Sequence, residues 1–241
     1  MKIALIGYGK MGHEIEKILV SRGHTLPMII DQDNTDQLTA ENLNQCDVAI
    51  EFTTPATAFD NIVTCLKAGI PTVCGTTAWL DRLPEATDLC QQTSGAFFYA
   101  SNYSIGVNIF FAINRQLARM MNQFPEYDVT LNEVHHVQKK DAPSGTAVTL
   151  AEDILAGIDR KTSWHLGTTT DRDKLEVTAQ RRAMVPGIHT IVWESDADTI
   201  TIDHNAKNRS GFAMGAVLAA EYLADKRGTG KVYGMKDLLG F

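Results

Sequence analysis

The sequence predicts an α/β protein in which a parallel-sheet domain is joined to a second domain of α+β type. Up to about residue 104, short apolar runs alternate with segments whose apolar residues recur at helical spacing. Such alternation favours parallel strands with helices packed on both faces. Beyond residue 105, longer β-rich runs follow one another with one helix among them, which is typical of an α+β domain. A glycine-rich turn after the first strand then indicates what the first domain binds.

The elements of the first domain can be placed in order. Each strand is a short apolar run, and each helix has apolar residues three or four positions apart. Gly23 and Gly69 stand where helices end, a position that glycine commonly occupies. The expected strands are residues 2–6, 25–30, 47–52, 71–74 and 96–100, and the expected helices are residues 13–22, 56–68 and 79–92.

The second domain begins with an amphipathic helix over residues 106–121. The β-rich runs that follow are residues 127–136, 175–183, 189–194 and 199–204, with a helix over 147–157 between the first and second. A last helix over residues 212–226 is rich in alanine and leucine. The pattern alone does not say which domain this last helix packs on.

A G-x-G-x-x-G turn follows the first strand at Gly7, Gly9 and Gly12. In a Rossmann-type dinucleotide site these glycines allow the tight turn, the approach of the pyrophosphate and the packing of helix on strand, in that order. Asp31 ends the second strand about 20 residues on, where an acidic residue accepts hydrogen bonds from the adenosine ribose. A tight turn without a ligand is the plainer alternative. We predict cofactor contacts from Gly7, Tyr8, Gly9, Lys10, Met11, Gly12 and Asp31.

Three further loops follow strands of the same predicted sheet. Ligands bind beyond the carboxyl ends of parallel strands. The threonine side chains of these loops can hydrogen-bond an amide or a ribose. Each loop by itself is ordinary turn chemistry, and only their common position favours a ligand. Residues 53–55 form one of them, and the other two contribute the expected cofactor contacts Gly75, Thr76, Thr77, Ser101, Asn102, Tyr103 and Ser104.

The stretch from Glu133 to Ala147 gathers two histidines, two lysines and a hydroxyl-rich turn before a helix. Histidine exchanges protons near neutral pH, and backbone N–H groups at a helix start hold anions. The residues also allow other interpretations. Ser144 and Thr146 could simply cap the helix. A metal site at the histidine pair is less favoured, because no further metal ligands stand at a suitable spacing. His135 and His136 point to opposite faces unless the strand ends or bulges there.

Composition excludes several classes of protein. A net charge of −7 offers no positive field for nucleic acid, and no apolar run is long enough to span a bilayer. Met1 and Lys2 lead directly into a strand, so we expect no secretory signal. None of the four cysteines is spaced as C-x-x-C, which predicts reduced thiols in a cytoplasmic protein and no metal site.

The chain resembles the dihydrodipicolinate reductase family over most of its length. The most specific match is Glu133-x-His135-His136-x-x-Lys139-x-Asp141-Ala142-Pro143-Ser144-Gly145-Thr146-Ala147. Other matching segments are Phe52-Thr53-x-Pro55, Gly75-Thr76-Thr77, Asn102-x-Ser104-x-Gly106-Val107-Asn108, Gly187-x-His189-Thr190 and Arg209 to Gly215. The chain departs from the family in a glycine loop that is often one residue longer there, and in Gln32, where members that favour NADPH tend to have arginine.

The resemblance implies hydride transfer from NADH or NADPH to a cyclic dicarboxylate imine, giving tetrahydrodipicolinate in lysine and diaminopimelate synthesis. It implies His135 as general acid/base, Lys139 as cationic proton donor, and substrate-carboxylate contacts from His136, Ser144, Gly145 and Thr146. It also implies a homotetramer, with a dinucleotide-binding domain of residues 1–104 and 211–241. Residues 105–210 would then form a substrate-binding and tetramerisation domain with a mixed sheet.

The choice between NADH and NADPH depends on Asp31. A carboxylate favours the free 2′-hydroxyl of NADH and repels the 2′-phosphate of NADPH, although Lys10 could offset part of that repulsion. We therefore predict that NADH is used at least as well as NADPH. The alternatives in function are an amino-acid-pathway dehydrogenase of similar build and a protein that senses NADH without turnover.

Overall fold

Two β-sheets organise the chain, and each belongs to a separate unit. The computed structural model describes residues 1–241. Unit 1 comprises Met1–Ile105 and Arg209–Phe241, and unit 2 comprises Gly106–Asn208. The chain therefore leaves unit 1 once and returns to it near residue 209.

The sheet of unit 1 has six parallel strands, as the alternating pattern predicts. Their order across the sheet is β11-β5-β4-β3-β1-β2, so the chain builds outward from β1 to β2 and then restarts on the other side with β3. Buried aliphatic residues on β1 and β3 form the centre of the core, because helices cover both faces. The strands are β1 Lys2–Ile6, β2 Thr25–Ile30, β3 Val48–Glu51, β4 Thr72–Cys74, β5 Ala96–Tyr99 and β11 Lys231–Tyr233.

The four helices expected in unit 1 are present, with one correction, and two short helices, Ala40–Leu43 and Met235–Leu239, were not expected. The helix expected over residues 79–92 is a short 3-10 turn, Leu80–Arg82, followed by α4, Leu83–Gln92. Pro84 in the first turn of α4 suits a helix start because it lacks an N–H, and Trp79 is buried in the core instead. The other helices are α1 Lys10–Ser21, α2 Ala40–Leu43, α3 Pro55–Lys67, α7 Ser210–Ala224 and α8 Met235–Leu239.

The C-terminal segment completes the sheet of unit 1. Helix α7 packs on the sheet through small buried residues, which settles where the last helix lies. Strand β11 pairs in parallel with β5, Lys231 opposite Ala96. Three residues with a mostly exposed pattern carry no strand signal in the sequence, so β11 was not expected.

Gly215 of α7 gives a test of this packing. A Cβ at this position would lie 1.8 Å from the carbonyl oxygen of Tyr103, whereas one at Gly211 would lie 3.7 Å from its nearest neighbour, Oγ of Ser104. We expect Gly215→Ala to lower the free energy of unfolding by about 1–3 kcal/mol, because the backbone must move apart. Urea denaturation measures it. Gly211→Ala is the matched control, with a change of about 1 kcal/mol or less; equal effects of the two would contradict the packing argument.

Unit 2 is a five-stranded mixed sheet of order β10-β9-β6-β8-β7 with helices packed against it. Strand β6 is central, parallel to β8 and antiparallel to β9. Strand β7 was not expected, because its four residues are mostly exposed and lack an apolar run. The bounds are α5 Ile105–Met121, β6 Asp128–His135, α6 Gly145–Leu155, β7 Ser163–Leu166, β8 Lys174–Arg181, β9 Gly187–Glu194 and β10 Thr199–Ala206. None of the protein's helices combines the length and apolarity needed to cross a membrane.

Candidate active site

The glycine turn of unit 1 lies at the point where the chain changes direction across the sheet. Strands β1 and β3 are neighbours there, and the loops after both open into one cavity of about 410 Å³. Ligands of open α/β sheets bind at this position, outside the carboxyl ends of the strands. The cavity is lined by Ile6, Gly7, Tyr8, Gly9, Ile30, Asp31, Gln32, Thr35, Phe52, Thr53, Thr54, Thr57 and Asn61.

The three glycines of the turn have different surroundings. Gly7 has a φ of +97°, and a Cβ there would lie 2.0 Å from the carbonyl oxygen of Phe52. A Cβ at Gly12 would lie 2.3 Å from the carbonyl oxygen of Gly7, so helix and turn pack without room for a side chain. Gly9 is exposed and has nothing within 4 Å of such an atom. The open backbone is therefore at Gly9, where a phosphate group has room to approach.

The other predicted residues of the turn take different positions. Tyr8 is half-buried in the cavity wall, its ring 4.1 Å from that of His13. Lys10 is exposed at the start of α1, and Met11 packs partly into the core. Asp31 is exposed at the end of β2, on the same cavity as the turn. The structure thus brings Asp31 and the glycine turn together around one space.

The loop after β4 makes more packing and hydrogen-bond contacts within unit 1 than the sequence suggested. A Cβ at Gly75 would lie 2.0 Å from Cζ of Phe52, so the close neighbour of this glycine is a ring of the core. Thr76 is buried; its hydroxyl accepts the backbone N–H of Thr53 at 2.8 Å, and its carbonyl accepts Nε1–H of Trp79 at 2.8 Å. Thr77 is exposed. Of these three predicted contacts, only Thr77 presents an uncovered side chain.

The loop after β5 divides in the same way. Tyr103 is buried in the core of unit 1, and its hydroxyl donates to the carbonyl of Cys74 at 2.7 Å. Burial raises the pKa of that phenol well above its usual value, so it stays neutral. Asn102 accepts the backbone N–H of Ser104 at 2.9 Å, Ser104 is buried, and Ser101 is exposed. The side chain of Tyr103 therefore packs in the core and does not lie on the loop surface.

In unit 2, Glu133 and His135 lie two residues apart on β6 and therefore share one face of the sheet. The Glu133 side chain is fully buried, and its Oε2 lies 2.8 Å from Nδ1 of His135. The contact is bent away from ideal hydrogen-bond geometry, so the carboxylate acts on the ring mainly through its charge. Oε1 accepts from Arg181 at 3.1 Å and from the backbone N–H of Ser144 at 3.2 Å.

These contacts keep Glu133 ionised. Burial by itself would raise the pKa of the carboxyl group, but His135, Ser144 and Arg181 together outweigh it and lower that pKa to about 2. A buried anion with two hydrogen-bond donors and an imidazole beside it is well compensated, which is the condition for its presence in a core. Glu133 therefore places a permanent anion beside His135 on this face of β6, with Arg181 as its counter-ion.

His189 on β9 completes this cluster. It is 4% exposed, its ring centre lies 5.2 Å from that of His135, and its Nε2 lies 3.1 Å from the hydroxyl of Ser144. Burial, and then the neighbouring His135, lower the pKa of His189 to about 4. The ring is therefore neutral near pH 7 and fits a supporting position rather than a charged one.

Strand β6 ends at His135, which resolves the question of the adjacent histidines. His136 lies in the loop beyond the strand and is half-buried, so strand alternation does not apply to it. Lys139 lies farther along the loop, and its Nζ donates to Asp141 at 2.9 Å. This contact lowers the pKa of Asp141. The Lys139 side chain is thus held by an ion pair within its own loop, with a partner two residues later in the sequence.

Ser144 caps the start of α6, as the capping alternative predicted. Its hydroxyl accepts the backbone N–H of Ala147 at 3.2 Å and also contacts His189, so its side chain is committed within the protein. Gly145 is exposed, with nothing within 4 Å of an added Cβ, and Thr146 is half-buried. The open part of this helix start is therefore the backbone at Gly145.

Glu133, His135 and His189 are also the residues that could hold a metal ion. One ligand atom from each lies within 4.8 Å of the others. However, the Arg181 cation is bound to the carboxylate, and the Ser144 hydroxyl lies on Nε2 of His189. A second positive charge between these groups would be repelled, and we interpret the cluster as a hydrogen-bonded and ionic network.

Three residues of this network had no role in the expectations from sequence. Glu133 could have been found, because a residue two positions before His135 on a strand shares its face. Arg181 and His189 are brought in by strand pairing, Arg181 opposite His135 and His189 opposite Glu133. Their register cannot be read from either segment alone.

Comparison with known proteins identifies the family to which the chain belongs. The model of the N-terminal part of dihydrodipicolinate reductase matches residues 1–103, and that of its C-terminal part matches residues 106–239. The chain belongs to the dihydrodipicolinate reductase family. The predicted membership is thereby confirmed along nearly the whole chain.

Individual relatives agree with this family assignment. The chain is 48% identical to a 4-hydroxy-tetrahydrodipicolinate reductase of Christiangramia forsetii, over 99% of this chain and 98% of the relative. It is 34% identical to one of Methanoculleus marisnigri, over 83% of this chain and 78% of the relative. Relatives from two different organisms thus support the same family assignment.

Solved structures show the same fold. A dipicolinate-bound dihydrodipicolinate reductase of Paenisporosarcina sp. TG-14 superposes with a TM-score of 0.77 at 22% identity, covering 98% of both chains. A DAP dehydrogenase of C. glutamicum has a TM-score of 0.54 at 12% identity, covering 97% of this chain and 92% of that one. The predicted combination of a parallel-sheet domain and a mixed-sheet domain is therefore confirmed.

Proposed function

We infer that this protein is a 4-hydroxy-tetrahydrodipicolinate reductase, an NAD(P)H-dependent oxidoreductase of lysine and diaminopimelate synthesis. One observation carries the inference: His135, held against the buried Glu133 anion, lies in the segment that leads to the helix start of α6. That arrangement suits proton transfer beside a bound anion, and the family assignment supplies a substrate of this kind.

The residues of unit 1 fit a reduced nicotinamide cofactor. Gly9 leaves the backbone open for a pyrophosphate, and Asp31 lies on the same cavity, where a ribose hydroxyl would be bound. Exposed Thr77 and Ser101 follow neighbouring strands and can offer further hydroxyl groups. When bound, the cofactor supplies the hydride of the reaction.

The residues of unit 2 handle the proton and the carboxylates. Hydride addition to a cyclic imine leaves negative charge toward the ring nitrogen, so a proton must be delivered there. We assign His135 as the general acid/base and Lys139 as the cationic donor beside the imine. Lys139 must leave Asp141 to act on a substrate, and a substrate carboxylate can replace Asp141 as its partner.

The substrate carboxylates are proposed to bind at the start of α6. Gly145 offers exposed backbone, and Thr146 and His136 flank it as further donors. Ser144 takes part by capping the helix, because its hydroxyl is already shared by Ala147 and His189. Each charge-assisted contact of this type contributes about 1.5–3 kcal/mol.

The activity is tested by coupling the protein to dihydrodipicolinate synthase, which makes the substrate in place. We expect the near-ultraviolet absorbance of NADH to fall only when the synthase product is present. Reduction of NAD⁺ to NADH with aspartate, homoserine or diaminopimelate as the hydride donor would instead identify a dehydrogenase of similar build. Binding of NADH without turnover of any substrate would identify a sensor.

We predict that NADH is used at least as well as NADPH, because Asp31 and Gln32 line the cavity just beyond β2, where the adenosine ribose would bind. A carboxylate there repels a 2′-phosphate, and neither residue provides a cation for it. The measurement is kcat/KM for each cofactor, for the wild type and for Asp31→Ser, which we expect to gain activity with NADPH. Asp33→Ser, an exposed change outside the cavity, is the control. A wild type that prefers NADPH tenfold, about 1.4 kcal/mol, would overturn the assignment of Asp31.

We further propose a cytoplasmic homotetramer assembled through unit 2. The four cysteines are free and buried, which fits a reducing compartment. Strand β10 is an edge of the unit 2 sheet, mostly exposed, with Ile200 40% exposed. Edges of this kind are normally covered by another chain or protected. Light scattering of the purified protein gives the mass, and a monomer would contradict the proposal.

A further inference from the structure

We propose that Glu133 and Arg181 form one positioning pair for the reaction, in which the carboxylate orients His135 and the guanidinium holds the loop that carries Lys139. This inference rests on the proposed function, because it assigns a task to two residues that support its proton-handling groups. Neither residue is proposed to touch the substrate.

The first half of the pair acts through the charge of Glu133. Its carboxylate is fully buried, and Oε2 lies 2.8 Å from Nδ1 of His135. At this distance an imidazole lone pair would be repelled by the anion, so a neutral ring must carry its proton on Nδ1. Nε2 is then the nitrogen that exchanges protons, because the Glu133 anion stabilises the tautomer protonated on Nδ1.

The surroundings of Nε2 are consistent with a fixed ring. A Cβ at Gly187 would lie 3.0 Å from Nε2 of His135, so only a residue without a side chain leaves this nitrogen uncrowded. His189 packs against the same ring edge to face, at 5.2 Å between ring centres and 73° between planes. The orientation of His135 is therefore limited by packing on two sides and by charge on a third.

The second half of the pair is the guanidinium of Arg181. It donates to Oε1 of Glu133 at 3.1 Å, to the carbonyl of Asp141 at 2.6 Å and to the carbonyl of Lys139 at 3.3 Å. Both carbonyls belong to the loop between β6 and α6. One planar group therefore connects the buried anion to the backbone on either side of Lys140.

The geometry of this connection requires arginine. A guanidinium presents five N–H groups in a fixed fork, whereas a lysine ammonium is a single point on a flexible chain. A lysine at position 181 would keep the charge next to Glu133 but could not reach all three acceptors at once. The pairing of β6 with β8 sets Arg181 opposite His135, which places the guanidinium beside Glu133 and the loop that follows β6.

The two halves are tested separately by Glu133→Gln and Arg181→Lys. Glu194→Gln and Arg182→Lys are the matched controls, because both residues are exposed and lie on or beside the same sheet. The readouts are the ¹⁵N shifts of the His135 ring at mildly alkaline pH, amide hydrogen exchange over residues 136–143, and kcat with the KM for NADH. The His135 signals are identified by their loss in His135→Gln.

In the wild type we expect a ring protonated on Nδ1. In Glu133→Gln we expect a mixture of tautomers, and a kcat lower by roughly 10- to 100-fold at an unchanged KM for NADH. In Arg181→Lys we expect the wild-type tautomer, faster exchange over residues 136–143, and a kcat lower by at least roughly tenfold. If Glu133→Gln does not fold, Glu133→Asp keeps the anion while lengthening its contact, and we expect it to weaken the same preference partially.

A wild-type ring protonated on Nε2, or an unchanged tautomer in the folded Glu133 variants, would overturn the role of the carboxylate. Wild-type exchange rates in Arg181→Lys would overturn the role of the guanidinium. Neither readout needs turnover. A wild type that reduces no synthase product would therefore end the proposed function, while the tautomer and exchange results would still decide whether the pair positions these groups.

Discussion

His135→Gln is expected to lower kcat and kcat/KM for the dicarboxylate by about 10²–10⁴-fold, with the KM for NADH close to that of the wild type. Glutamine nearly fills the space of imidazole and keeps a hydrogen-bonding group, but it does not exchange a proton near neutral pH. The loss should appear in turnover alone, since the predicted cofactor residues belong to unit 1 and His135 belongs to unit 2. Steady-state kinetics with the coupled synthase assay measures it.

The matched control is His165→Gln. His165 is an exposed histidine on β7 of the same unit, outside the Glu133 cluster. Its replacement should leave kcat unchanged and so exclude a general effect of removing a histidine from this sheet. If His135→Gln keeps a turnover within threefold of the wild type, about 0.7 kcal/mol, the general acid/base assignment is wrong.

Lys139 gives the second large effect, and two substitutions separate its possible contributions. We expect Lys139→Ala to lower kcat by about 10²–10³-fold, because both the charge and the proton donor are lost. Lys139→Arg keeps the charge, but arginine does not give up a proton in proteins. We therefore expect Lys139→Arg to recover binding of the dicarboxylate, seen in its KM, while kcat stays close to that of the alanine variant.

Lys140→Ala serves as the control for Lys139, since Lys140 is the adjacent lysine and is exposed. It should have wild-type kcat and KM. Full recovery of turnover in Lys139→Arg would show that the lysine contributes charge only, and the proton would then have to come from His135 or from water.

Much of unit 1 could be predicted from sequence because its signals are local. An apolar run followed by three spaced glycines and an amphipathic helix determines β1, the turn and α1 without reference to distant residues. Gly7 even has the positive φ that the tight turn requires. Among the missed elements, strands β11 and β7 are three and four residues long and mostly exposed, so each is fixed by its neighbour strand and not by its own composition.

The candidate site was predictable only in part, for the same reason. His135, Lys139 and the helix start of α6 lie within one segment, and their residue types alone indicate proton transfer and anion binding. Whether His136 shares a face with His135 depended on where β6 ends, which a sequence pattern places only to within a few residues. Arg181 and His189 join the site through pairing across β8 and β9, a long-range register that single segments do not encode.

Tyr103 and Thr76 show a competing contact that their positions in the sequence do not reveal. Both occupy loops at the carboxyl ends of strands, which is where ligands bind, and both have polar side chains. In the structure the Thr76 hydroxyl accepts a backbone N–H of unit 1, and the Tyr103 hydroxyl donates to a backbone carbonyl of the same unit. A position at a strand end raises the chance of a ligand contact, but the backbone of the neighbouring loops competes for the same hydroxyl groups.

The return of the chain to unit 1 has a consequence for biosynthesis. Residues 106–208 are contiguous, so unit 2 has all of its own sequence as soon as that stretch has left the ribosome. The sheet of unit 1 instead lacks its outer strand β11 and the covering helix α7 until residues 210–233 have also been synthesised. The inserted unit is therefore complete before the unit that precedes it in the chain, the reverse of the usual vectorial order for a nascent polypeptide.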